Sequence, residues 1–132
     1  MSHVTMKAYK VEEVNFVNKV NGKVKLELQN KYAYNVRYNP SRICRGEFTA
    51  TVSDKNNPEN FSIKVVVIGV FEFDEGIEKE FIHVETYNAL FPFVRSAVTT
   101  LTANAGIPPV IIPMRDIEGE NIYRFEKNGR PE

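Results

Sequence analysis

Cysteine occurs once, tryptophan not at all and histidine twice in this chain of 132 residues. The single Cys44 excludes an internal disulfide and any cysteine-based zinc cluster, and it suits a reducing, cytoplasmic setting. No stretch approaches the roughly 18 consecutive apolar residues of a membrane-spanning helix. Met1 to Lys10 carries no apolar run behind basic residues of the kind that directs secretion. An excess of either charge is missing too, since Lys plus Arg and Asp plus Glu number 17 each. Nothing therefore draws the chain as a whole to nucleic acid or to an acidic membrane. Gly-rich phosphate loops, nucleophile elbows and metal-ligand spacings are also lacking, so neither cofactor nor metal is expected. What the sequence does have is apolar alternation in its first half and helical spacing in its second. Residues 1–132 are read as a single domain, a size that buries about two-thirds of its unfolded surface.

Val4, Met6 and Ala8 alternate, and Val11, Val14 and Phe16 follow around Glu12-Glu13, which predicts an interrupted strand over 4–20. Asn21-Gly22, both tolerant of positive φ, predicts a hairpin into a second strand, where Val24, Leu26 and Leu28 alternate with charged and polar residues. The pattern runs on through Tyr32, Tyr34, Val36 and Tyr38 to the Asn39-Pro40-Ser41 turn. A third strand is expected over 43–53, with Phe48, Ala50 and Val52 on one side, and Asn56-Asn57-Pro58 separates it from a fourth over 61–73. In the fourth, Phe61, Ile63, Val65, Val67, Phe71 and Phe73 share one face, while Ser62, Lys64, Val66, Ile68, Val70 and Glu72 share the other. Its centre is apolar on both sides. A small antiparallel sheet ordinarily leaves one face wet, so helices, another subunit or a bound chain are the expected cover.

Residues 76–87 read as a short helix, with Ile77, Phe81, Val84 and Tyr87 at helical intervals. A longer one is predicted from Pro92, which suits a first helical position, to Ala105, with Val94, Ala97, Val98 and Leu101 on its apolar face. Gly106 closes it in the left-handed position and Pro108-Pro109 forbids continuation. Thr99, Thr100 and Thr102 make this helix weak in isolation. Packing must hold it. Beyond lie a proline-punctuated apolar segment, Ile107 to Met114, and a last short helix over 117–125. His83 with Glu85 is a bare acid–base spacing, and Arg42 and Arg45 are neighbours able to lower the Cys44 pKa. Neither makes a catalytic constellation, and the chain is read as non-enzymatic. Arg95 reads as a cap or as an ion-pair partner of Glu85 or Asp116.

Tyr87-Asn88-Ala89-Leu90-Phe91-Pro92-Phe93-Val94-Arg95 and Gly106-Ile107-Pro108-Pro109, with support from Glu13-Val14-Asn15-Phe16 and residues 61–76, stand in an order of elements that resembles the SecB family of protein-export chaperones. The resemblance implies an α+β fold: a four-stranded antiparallel Greek-key-like sheet followed by a long helix and a short C-terminal helix. A crossover then replaces the hairpin at Asn21-Gly22. It implies a homotetramer, a dimer of dimers, with Val94, Val98 and Leu101 of the helix and Val65 and Val67 of the fourth strand at the subunit interface. The implied activity is that of an ATP-independent holdase, which keeps unfolded, nascent or preprotein polypeptides in apolar grooves. By similarity the groove draws on Phe61, Ile107, Val110, Ile111, Ile112, Ile117, Ile122, Tyr123 and Phe125. Departures from the pattern weigh against docking of the SecA motor: the chain is not acidic, and Val17, Ser62 and Lys64 stand at docking-surface positions where only Glu13 matches. Some SecB-like proteins instead protect the aggregation-prone antitoxin of a toxin–antitoxin pair, which is a second reading. A non-catalytic protein with a pocket for a small apolar ligand is a third, of another class.

Overall fold

The computed structural model describes residues 3–22 and 25–114. The alternation read from the third and fourth segments builds β3 (Ile43–Asp54) and β4 (Phe61–Phe73), which pair antiparallel at the centre of one sheet. Their register sets Cys44 against Phe71, Phe48 against Val67, Ala50 against Val65 and Val52 against Ile63. All eight are buried, and this row is the floor of the core. β1 (Val4–Asn18) flanks β4 and β2 (Leu28–Tyr38) flanks β3, giving the antiparallel order β1-β4-β3-β2. A single helix, α1 (Lys79–Asn104), lies across one face of the sheet.

The hairpin expected at Asn21-Gly22 does not form. Gly22 does adopt a left-handed turn, at φ 74°, but β1 pairs with β4, so the chain crosses from one edge of the sheet to the other before β2 begins at Leu28. The reason lies in β1 itself. Register shifts between Met6 and Ala8 and between Val11 and Glu13 each insert one extra residue, and a bulge of this kind flips the alternation that follows it. Val4, Met6, Tyr9, Val11, Val14 and Phe16 thereby become one continuous row, opposite Phe73, Phe71, Gly69, Val67, Val65 and Ile63. The pairing of that whole row outweighs one local turn signal. Ala8 faces the other way, opposite Val70.

The two predicted helices are one. α1 runs 26 residues, about 39 Å at 1.5 Å rise, with Pro92 in its interior rather than at its start. An interior proline costs about 3 kcal/mol through a lost hydrogen bond and a ring clash. Ile82, Tyr87, Leu90, Phe91, Val94 and Val98 are buried on the helix's sheet side, each contributing roughly 1.5–3 kcal/mol, so burial outweighs the defect. Pro92 and Asn88, whose carbonyl loses its donor, are both exposed, where water can replace it. Gly69 lets the helix approach, because a Cβ there would stand 2.8 Å from Leu90 Cδ2. The C-terminus follows the sequence: Gly106 is left-handed at φ 82°, and the N–H groups of Gly106 and Ile107 reach back to Ala103 O and Thr102 O at 3.3 and 3.4 Å. The short helix expected over 117–125 lies outside the described residues.

The outer face of the sheet needs less cover than its pattern suggested. Val66 and Ile68 are only 5% and 3% exposed. Val66 lies between Glu13 and Thr49, and Ile68 between Lys10 and Glu47; the stems of Glu13, Lys10 and Glu47 shade the central strand while their heads stay in water.

Candidate functional site

After α1 the chain turns back along the helix as a strap, Ile107 to Met114, with no regular structure of its own. Pro108, Pro109 and Pro113 deny it backbone donors, and side chains hold it instead. Thr99 Oγ1 donates to Val110 O at 2.8 Å, Arg95 Nε to Ile112 O at 3.0 Å and the Tyr32 hydroxyl to Pro113 O at 2.7 Å. The Val110 N–H in turn donates to Thr102 Oγ1 at 2.8 Å, while the same hydroxyl donates to Val98 O. The threonines that weaken the helix thus become its tethers. Propensity alone shows them only as a cost; the signal for their tethering role is the i, i+3 spacing of Thr99 and Thr102 before a proline-rich segment.

The strap divides its own apolar residues. Ile112 is fully buried and plugs the core beside the helix, so it is not a groove residue as the resemblance implied. Ile111 is 68% exposed. Ile107, Val110 and Ile111 form one wall of a groove of about 930 Å³. Phe61, itself nearly buried at the start of β4, lies at its base, and Val20, Leu26 and Leu28 from the crossover and the start of β2 make the opposite wall. Lys25 is the only charged residue lining it among those described. The hairpin expected at Asn21-Gly22 would set Val20, Leu26 and Leu28 on a strand pair, and only the crossover brings them to the rim of this groove. Ile117, Ile122, Tyr123 and Phe125 lie outside the described residues.

A second apolar surface lies on the other flank of the helix, where Tyr9, Val11 and Val14 of β1 face Phe93, Ala97 and Leu101 across about 440 Å³. Tyr9 stacks on Phe93 with ring centroids 4.1 Å apart. Three of these side chains, Tyr9, Val11 and Val14, remain 43–47% exposed. Leu101 is half-buried at this edge. Val94, Val98, Val65 and Val67, by contrast, are covered completely by the chain's own sheet and helix, and offer no surface to another subunit.

Polar groups elsewhere are committed to structure. Arg95, bonded to Ile112 O, also lies over the Phe91 ring at 4.9 Å, and no ion pair joins it to Glu85. Asp116, its other expected partner, lies outside the described residues. Burial pushes the Cys44 thiol up to about 11, so its arginine neighbours do not activate it. The Tyr34 phenol is raised as well, chiefly by burial, and donates to Thr86 Oγ1; Gly46 leaves room for that hydroxyl. His83 packs edge-on against Tyr34. On the outer face three carboxylates are matched within the sheet: Glu13 with Lys64 at 3.5 Å, Glu12 with Arg45 at 3.6 Å and Glu72 with Lys7 at 3.6 Å.

This sheet, long helix and strap have counterparts. The structure superimposes with a TM-score of 0.69 on a SecB-like chaperone of Mycobacterium tuberculosis, solved in complex with a ChAD peptide from the HigA1 antitoxin. The match covers 86% of this chain and 91% of that one at 12% identity, a likeness of fold. In sequence, 60 residues are 43% identical to an uncharacterised protein of Methanocaldococcus jannaschii, and 62 residues are 36% identical to the protein-export protein SecB of Anaplasma marginale. These segments cover 43% and 44% of this chain, and only 39% and 35% of the relatives, so the chain spans little more than a third of their length. The family profile described as preprotein translocase subunit SecB matches residues 12–129, nearly the whole sequence, and the chain belongs to the SecB family.

Proposed function

We propose that this protein is an ATP-independent holdase whose client site is the groove between the strap and the crossover. One observation carries the reading: seven apolar side chains, Val20, Leu26, Leu28, Phe61, Ile107, Val110 and Ile111, line one open groove of about 930 Å³. Two of its walls are irregular backbone. Each apolar side chain a client buries there is worth roughly 1.5–3 kcal/mol, enough to hold an unfolded segment and too shape-tolerant to select one sequence. The outermost crest, Ile111, gives a client the most uncovered apolar surface to gain. Unfolded or preprotein chains are the general client class.

Of the two services open to such a protein, protection of an antitoxin fits better than delivery to the SecA motor. Three of the outer-face carboxylates, Glu13, Glu12 and Glu72, already face Lys64, Arg45 and Lys7, which leaves that face less acidic toward a basic partner. The fold's likeness to a chaperone solved with an antitoxin peptide points the same way. Assembly, as a dimer or a tetramer, is assigned to the β1 flank, where Tyr9, Val11, Val14, Phe93, Ala97 and Leu101 form the exposed apolar strip that a second copy would cover.

The test is light scattering of a chemically unfolded, slowly refolding protein diluted into this one without nucleotide, with the mass of the complex read in the same run. Stoichiometric suppression of aggregation is expected. Unchanged aggregation would leave a small apolar ligand as the better occupant of the groove.

A further inference from the structure

On the far side of the strap from the client groove is a second depression of about 550 Å³ between the strap and the exposed side of α1. Ile111 lines both, so it is the ridge between them. The second depression differs in kind. Phe91, Pro92, Ile111 and Met114 give it apolar walls, Thr99 and Thr100 add hydroxyls, and Arg95 is the only charged residue lining it among those described. The guanidinium is held at two points, its Nε donating to Ile112 O at 3.0 Å and its Cζ lying over the Phe91 ring, 4.9 Å from the centroid. With Nε spent, the two terminal nitrogens remain, and no carboxylate among the described residues pairs with them. That free edge matches the two oxygens of a carboxylate, and prior fixation reduces the side-chain entropy such a contact would cost.

We infer that this depression is an acidic subsite of the client groove: a client segment crosses Ile111 and sets an Asp or Glu side chain against Arg95. The inference rests on the holdase reading above and deepens it. Where the main groove selects only for apolar bulk, Arg95 supplies register, because one carboxylate must fall a few residues from the apolar run. An extended chain covers about 3.3 Å per residue, so spacing is the variable that the subsite reads.

The experiment measures binding of fluorescent peptides that carry one run of four large apolar residues and a single Asp placed one to six residues after it, each paired with its Asn version. The protein is the full chain, as wild type and as Arg95→Gln, whose amide retains a donor toward Ile112 O. Asp116→Asn is run alongside. At low salt, one or two spacings should favour Asp over Asn by roughly three- to tenfold, the preference shrinking in 0.5 M salt and vanishing in Arg95→Gln while the Asn peptides bind as before. Equal binding of Asp and Asn peptides at every spacing would overturn the subsite and leave the holdase reading standing. A preference that appears only in Asp116→Asn would also overturn it, by making the chain's own carboxylate the occupant. Failure of every apolar peptide to bind would instead remove the holdase reading on which the subsite depends. Matched thermal unfolding of wild type and Arg95→Gln separates loss of the subsite from loss of the strap.

Discussion

The two flanks of α1 are both apolar and both partly exposed, yet they are made differently. On the β1 flank, a regular strand faces a regular helix, Tyr9 is already stacked on Phe93, and every side chain is fixed by a hydrogen-bonded element. On the strap flank, the walls are a proline-broken segment and a crossover, held at single points by Thr99, Thr102, Arg95 and Tyr32. A surface of the first kind repeats one geometry and suits one unchanging partner. A surface of the second kind can shift a side chain at little cost, which suits clients that share no shape.

Substitutions on each flank test this contrast. The sharpest pair is on the strap itself. Ile112→Ser opens a cavity and buries a hydroxyl, and a loss of about 3–5 kcal/mol is expected in urea unfolding. Ile111→Ser, one residue earlier on the exposed crest, should change stability by under about 0.5 kcal/mol and lower client affinity instead. If the two unfold alike, the strap is not divided as described. Across the helix, Leu101→Asp places a charge at the edge of the β1 flank. If the proposed β1-flank contact forms, static light scattering should then show a reduced mass while the strands keep their circular dichroism, and an unaltered mass would overturn that contact. Thr102→Val conserves shape but leaves the Val110 N–H without its acceptor. A cost of about 1–2 kcal/mol follows, along with weaker client binding and no effect on assembly.

The smallest effect touches neither flank. Cys44 is buried, with its thiol raised from 9.0 to about 11, and Tyr34 is raised by the same cause. Both groups hold their protons more tightly folded than unfolded; the Cys44 contribution is intact below about pH 9 and drains away as pH climbs through about 11, and that of Tyr34 is lost at higher pH still. Cys44→Ala should flatten part of that alkaline loss. A folded-state thiol that reacts quickly with a disulfide reagent at neutral pH would contradict this burial.

How far the sequence could be read followed from how local the deciding interaction was. β3 and β4 have unbroken alternation, and their limits came out within a residue. The β1 bulges hid a continuous row because a period of two cannot survive an inserted residue, and only the cross-strand partner on β4 shows that Tyr9 rather than Ala8 belongs to it. Asn21-Gly22 and Pro92 are strong local signals, and both were overridden from a distance, one by pairing with β4 and the other by burial of Leu90, Phe91 and Val94 beneath it. The groove was half legible. Phe61, Ile107, Val110 and Ile111 were reached through the family resemblance, whereas Val20, Leu26 and Leu28 depend on a crossover path that no spacing encodes.

The prolines of the strap bear on what a captured chain can become. Pro108, Pro109 and Pro113 have no N–H, and those of Ile107 and Val110 are spent on Thr102. Under the proposed holdase role, a client lying along this wall would find sockets for its side chains and few donors for its backbone. Such a wall would hold a chain without zipping it fully into cross-strand register, and would be a poor seed for a fibril.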